Sequence, residues 1–375
     1  MLKDIYGEPR TAMTQTELNA VMASHDKYLT ARGGTRAQFT LRSLDGLNLA
    51  NRNLSEADFS GASLINSTLY GSNLTRANFY CADLRGGNLR CANLSRADLR
   101  GASFRGASLS NAILDDADLR AAVMMFVRQG GDRVAVLDRN KASADGTAVG
   151  VDFSNCSMKN ISLGNAKLNG ANFSGAILHG ANFKGAQLPN VNLEGAVLTG
   201  VAMKDLAVPS SALKGCITDV SPEAAARAEI LREAVEEHQQ WIASGSAGGK
   251  SANLDGEDLR PLLQFFAGKS LSALSARNTV PIGVTFSRCQ LQAAHFEGAD
   301  LRDADFTGAD LRGASFAGAK LGHARFDRAN LHALPLASGN MLATNLTGAR
   351  ATEEQFFNAM MEGSVSSLGL VLDGR

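Results

Sequence analysis

The 375-residue chain has no excess of charge of either sign: 37 basic residues face 37 acidic ones. The balance is local too. Nine arginines stand against eight acids over 37–126, four lysines against three acids over 151–206, and seven basic residues against six acids over 284–350. No segment therefore carries the cationic field that direct nucleic-acid binding needs, and none is strongly acidic. The five cysteines form no CxxC pair and no metal-ligand cluster, so Cys81, Cys91, Cys156, Cys216 and Cys289 read as structural. There is no glycine-rich phosphate loop and no Ser/His/Asp arrangement. No run approaches the ~20 apolar residues of a membrane span, and Met1–Tyr6 lacks the apolar core of a signal peptide. These absences predict a non-enzymatic, cytoplasmic protein with no catalytic residues, cofactor, metal site or membrane contact.

What the chain does have is an apolar residue at every fifth position. One run of 18 centres goes from Phe39 through Leu44, Leu49, Leu54 and Phe59 to Met124, and a small side chain stands two places before 15 of them. The exceptions are Arg42, Leu47 and Arg52. A second run of 11 goes from Phe153 to Met203, and a third of 13 from Phe286 through Leu331, Leu336 and Met341 to Leu346. A period of five fits neither a helix nor a flat strand, so it marks a repeat architecture. Each quintet offers one small and one large inward side chain, with polar residues outward and Gly or Asn available for the bend.

The typical unit, as in Ala171-Asn172-Phe173-Ser174-Gly175 and Ala309-Asp310-Leu311-Arg312-Gly313, closely resembles the pentapeptide-repeat family. The resemblance implies an all-β solenoid: a right-handed, quadrilateral β-helix with four quintets and about 20 residues per coil. Residues twenty apart should then stack. Phe59/Phe79, Phe153/Phe173, Phe296/Phe316 and the triple Phe286/Phe306/Phe326 have that spacing and are the expected core stacks. The outer charges Glu56, Arg76, Arg96 and Asp116, with Asp300/Lys320 and Asp305/Arg325, should form columns.

The open ends of such a stack need covers. An amphipathic helix is expected over Thr16–Ala31 with Leu18, Val21, Met22, Tyr28 and Leu29 on its apolar side, and a second opens at Ser221-Pro222 and runs through Ile242. His25-x-x-Tyr28-Leu29 matches His238-x-x-Trp241-Ile242, and each is followed by Gly-Gly and the first quintet. The chain thus reads as two tandem copies of one plan, with histidines in a capping or packing role. The expected layout is a tail over 1–13, a helix-capped first solenoid over 14–206 and a junction over 207–221. A helix-capped second solenoid follows over 222–362, then a tail over 363–375. Thr352 and Gln355 fit a capping box that opens a C-terminal cap helix. In some family members this end forms a dimer contact, so the resemblance extends to a homodimer through an end cap.

Two segments break the phase. Residues 126–150 include a strand-like Val134–Leu137 stretch and suggest a protruding hairpin or loop whose Arg128, Arg133, Asp138, Arg139 and Lys141 are the candidate interaction residues. A functional loop and a neutral surface insertion both stay open. Residues 257–282 are too apolar for a solvated loop and are expected to complete the second cap or pack on a coil face. The leading functional expectation is a protein–protein interaction scaffold whose partner the sequence does not name. The family's DNA-mimicking members, which bind DNA gyrase, supply the alternative of a bacterial topoisomerase modulator. The neutral surface departs from their acidic one. A membrane-targeting effector is a third class, and no lipid-binding helix marks it.

Overall fold

Five residues per side leave room for one extended step and one turn, and the backbone bonds follow from that. The Phe59 amide donates to the Asn78 carbonyl at 2.7 Å, and the Asn78 amide donates back to the Ala57 carbonyl at 2.9 Å. The corner closes when the Ala62 amide donates to the Phe59 carbonyl at 2.9 Å. Asn or Asp precedes the large centre because its Oδ1 accepts the amide two residues on, as Asn78 does from Tyr80 at 3.0 Å. The Asn78 amide nitrogen also reaches down one coil to Asp58 Oδ1 at 3.1 Å. The computed structural model describes residues 12–127, 134–137, 150–361 and 371–372. Parallel bridges link residues twenty apart, such as Gln38, Asp58, Asn78, Asp98 and Asp118 in succession. Each side carries a single bridge rather than a long strand, so this is a β-helix solenoid with little regular sheet.

The chain divides into two compact units, Met1–Asp219 and Val220–Arg375. In the first, helix α1 (Gln15–Leu29) opens on a Thr14/Glu17 capping box and buries Leu18, Met22 and His25. Tyr28, expected inward, is exposed. The Gln15 side chain occupies both backbone groups of Asn48 at 3.0 Å each, and Arg52 reaches Asn19 on α1 at 3.0 Å. That contact explains Arg52 in a slot reserved elsewhere for small residues. Helix α2 (Pro222–Ala243) opens the second unit on the Ser221 side chain and buries Leu231, Val235 and His238 at the same i, i+4, i+7 spacing.

The first core is mostly leucine and alanine, with rings stacked at 4.8 Å (Phe39–Phe59), 4.6 Å (Phe59–Phe79) and 5.2 Å (Phe153–Phe173). The second core carries phenylalanine on two walls. Phe286, Phe306 and Phe326 stack at 5.2 Å intervals, Phe296 and Phe316 at 5.4 Å, and the two columns meet edge-on at 5.5–6.1 Å.

Several expectations are corrected. Residues 257–282 are neither cap nor side packing but a coil of the second unit: Ser270 bridges Gln290, and the Phe266 ring lies 5.0 Å from Phe286. Two extra residues at the corner after the 3-10 turn Arg260–Leu262 shifted the phase and hid it. The C-terminal helix is only a four-residue 3-10 turn, Glu353–Phe356, because the chain completes a last coil there, with Phe356 stacked on Phe326 at 4.7 Å and Met360 bridging Asn330. The Thr352/Gln355 capping box is present, and the Gln355 amide also donates to the Leu321 and Ala324 carbonyls. Residues 207–217 are not a free junction, since Val208, Leu213 and Cys216 pack on the first core and Ile217 bridges Val197. Met124, Met203, Leu336 and Met341 carry the five-residue phase but are not buried centres.

Candidate interaction surfaces

The first excursion leaves the solenoid after Leu119, the last buried centre before it. Strands β1 (Met124–Val127) and β2 (Val134–Leu137) pair antiparallel as a hairpin. Its base folds back along the corner of the preceding coils. Tyr80 donates its hydroxyl to the Val123 carbonyl at 2.8 Å, and the Arg100 guanidinium lies 5.3 Å from the Tyr80 ring centre. Gly101 is required beneath it: its φ is +68°, and a Cβ there would lie 2.5 Å from the Ala122 carbonyl oxygen and 2.8 Å from Cys81 Sγ. The candidate residues Arg128, Arg133, Asp138, Arg139 and Lys141 lie outside the described residues.

The second excursion is hidden in the sequence, because its ten residues keep the five-residue phase. Strands β3 (Leu334–Pro335) and β4 (Met341–Leu342) pair antiparallel, so ten residues stand out from a coil whose Ser315 bridges Asn345. Leu336 (41% exposed), Met341 (60%) and Leu342 (38%) point to solvent. The base is pinned by Thr344, which donates to the Leu311 carbonyl and accepts the Gly313 amide, both at 3.1 Å. A Cβ on Gly313 would come within 3.0 Å of Leu334 and Leu342.

The outer walls are polar and self-neutralised. All six Asp-Leu-Arg triplets form an ion pair within the triplet: Asp83–Arg85 at 2.8 Å, Asp98–Arg100 and Asp118–Arg120 at 2.7 Å, and Asp258–Arg260, Asp300–Arg302 and Asp310–Arg312 at 2.6 Å. The expected columns are looser, with Arg96–Asp116 at 3.6 Å, Lys320–Asp300 at 3.4 Å and Arg325–Asp305 at 3.9 Å. The Asp-Leu-Arg triplets that make these tighter pairs are visible in the sequence. Burial resists ionisation of Asp300, yet Arg302 and Lys320 hold its carboxyl below the usual range. Glu56, Arg76, Arg96 and Asp116 line a shallow groove of about 410 Å³. All four have left-handed backbone, φ 64°, 58°, 59° and 59°.

The buried thiols are spent on structure. Cys156 donates to the Leu109 carbonyl at 2.9 Å and Cys289 to the Phe266 carbonyl at 2.8 Å. Burial pushes the Cys289 thiol up to about 11 and the Cys156 thiol well above its usual range, which leaves both protonated and unreactive. Among the described residues no cluster of His, Cys, Asp or Glu could hold a metal, and no helix is long and apolar enough to cross a membrane.

The family model for pentapeptide repeats matches eight copies, spanning residues 43–124, 149–206 and 285–348, more than half the chain. The chain belongs to the pentapeptide-repeat family. Solved structures similar to it include a pentapeptide repeat protein from the Arabidopsis thaliana thylakoid lumen, 24% identical over 42% of this chain and 72% of that one, with a TM-score of 0.22. HetL, a pentapeptide repeat protein involved in heterocyst differentiation regulation from the cyanobacterium Nostoc, is 20% identical over 92% and 95%, with a TM-score of 0.15. QnrB1, a plasmid-mediated fluoroquinolone resistance protein, is 18% identical over 52% and 92%, with a TM-score of 0.23. No curated protein matches the chain. Family membership rests on the repeat match.

Proposed function

We propose that this pentapeptide-repeat protein is a non-catalytic, cytoplasmic scaffold for protein–protein recognition. It consists of two tandem right-handed solenoids, each capped by an N-terminal helix. The observation that carries the reading is the pair of hairpins that leave the coils where the repeat requires none, the second with Leu336, Met341 and Leu342 exposed. Rigid coils present such hairpins at low entropic cost, because the supporting walls are already ordered. In this reading the partner is a protein, no cofactor takes part, and a homodimer through an end cap is one form of the assembly. The test is deletion of Arg128–Ala148 with a short Gly-Ser closure, alone and together with loss of the β3–β4 hairpin. Folding should survive both, and recovery of the native partner should fail. Unchanged recovery from the double deletion would move recognition to the coil walls.

Modulation of DNA gyrase by DNA mimicry, which membership of the pentapeptide-repeat family suggests, is the alternative. The Asp–Arg pairs weigh against it, since the carboxylate of every Asp-Leu-Arg triplet is neutralised by the guanidinium two residues on and its phosphate-like potential is lost. Inhibition of gyrase supercoiling by micromolar protein, weakening steeply with salt, would reverse the ranking.

A further inference from the structure

Two buried histidines recur at the same place in the two units and make the same bond. His25 on α1 is fully buried, and its Nδ1 accepts the Ala37 amide at 3.1 Å. His238 on α2 is fully buried, its Nδ1 accepts the Ala252 amide at 3.0 Å, and its Nε2 lies 3.1 Å from the Ser272 carbonyl. Ala37 and Ala252 are the first small inward residues of their units and are themselves buried. Each ring also stacks on the aromatic residue three places on, His25 on Tyr28 at 5.9 Å and His238 on Trp241 at 5.5 Å. An Nδ1 that accepts an amide proton carries no proton of its own, so both rings are neutral with hydrogen on Nε2. Protonation would set one N–H against another inside a buried contact, and the amide would lose its acceptor.

We infer that His25 and His238 are acid-released latches, which hold the two helices on their first coils while neutral and free them when protonated. Burial lowers the pKa of both. Around His25 the Ser55 backbone, Asp26 on α1 and Glu56 on the coil pull the other way, and Arg36 adds to the lowering. His238 feels only burial and the opposing Ser272 backbone. Because the folded-state pKa lies below the unfolded one, about 6.5, the stabilisation is complete above that value. It is lost as pH falls from there through the folded pKa. Gln15 ties α1 to Asn48 through groups that do not ionise, while Tyr28 on α1 donates to the Glu56 carboxylate and Arg227 on α2 pairs with Glu257. The release would uncover the first coil edge of each unit, the place where another strand or chain can pair.

The test uses the full chain and two measurements. Ring-nitrogen NMR should show both histidines as Nε2–H tautomers that titrate below the ordinary imidazole value. Hydrogen exchange, corrected for intrinsic rate, should show protection of 15–29 and 222–243 falling roughly fivefold or more between about pH 7.5 and about pH 5, with residues 59–79 little changed. The double variant His25→Asn, His238→Asn keeps an acceptor near the Nδ1 position but cannot be protonated, so its helices should lose the pH response. A wild type with pH-independent helix protection, a variant that keeps the wild-type response, or Nδ1–H tautomers would overturn the latch. If the variant fails to fold, the wild-type tautomers and titration decide alone.

Discussion

Each unit interrupts a coil, and the two do so in different ways. In the first, Ser108 bridges Asp152, so the excursion adds a number of residues that is not a multiple of five, and the phase jumps. In the second, Ser315 bridges Asn345, the excursion adds ten residues, and the count of fives passes straight through it. Leu336 and Met341 therefore look like inward centres although they stand in a hairpin, exposed to solvent. A five-residue pattern reports which residues can face inward. It does not report whether the chain is on the wall at that point.

The largest effects should separate wall from excursion. Phe306 is fully buried, stacked between Phe286 and Phe326 and met edge-on by Phe296 and Phe316. Phe306→Asp should cost more than about 4 kcal/mol, seen as loss of cooperative unfolding, because a carboxylate there has no partner. Leu346→Lys, at a buried centre, should be nearly as severe, whereas Met341→Lys, five residues earlier in phase, should change stability by less than about 0.5 kcal/mol. Equal losses at 341 and 346 would put the hairpin back into the wall.

Intermediate effects should come from the glycines beneath each excursion. Gly101→Ala and Gly313→Ala each combine left-handed backbone with a close approach and should cost about 1–3 kcal/mol by chemical denaturation. Gly318→Ala has the same backbone with open space around it, and should cost only about 1 kcal/mol. If all three lose the same amount, the hairpin bases do not rest on those corners. Ser174→Asp, at an outward position, should be nearly silent, within about 0.5 kcal/mol in a thermal melt.

How much of this was legible follows from the same contrast. The twenty-residue register was readable from the phenylalanine spacing, since identical rings can stack only if coils have constant length. The first helix is readable from apolar periodicity, which puts Tyr28 on the wrong side, and the packing role of His25 is readable from its recurrence as His238. The coil through Phe266 was hidden because Ala276 and Pro281 replace large centres and two residues are added at one corner. The C-terminal turn looks like a helix start in the sequence because Thr352 and Gln355 form a capping box that begins only a turn before the coil resumes. For the candidate surface, the sequence marked the first excursion by its broken phase and left the second unseen.

The most direct test removes the second excursion. Deleting Leu334–Ala343 joins Ala329-Asn330-Leu331-His332-Ala333 to Thr344-Asn345-Leu346-Thr347-Gly348, two in-register quintets in which the buried Thr344 keeps the small slot. Thermal unfolding should then occur within about 3 °C of the intact protein, because the wall loses no buried centre. A fall of more than about 10 °C, or loss of the cooperative transition, would show that residues 334–343 belong to the wall and would contradict the account.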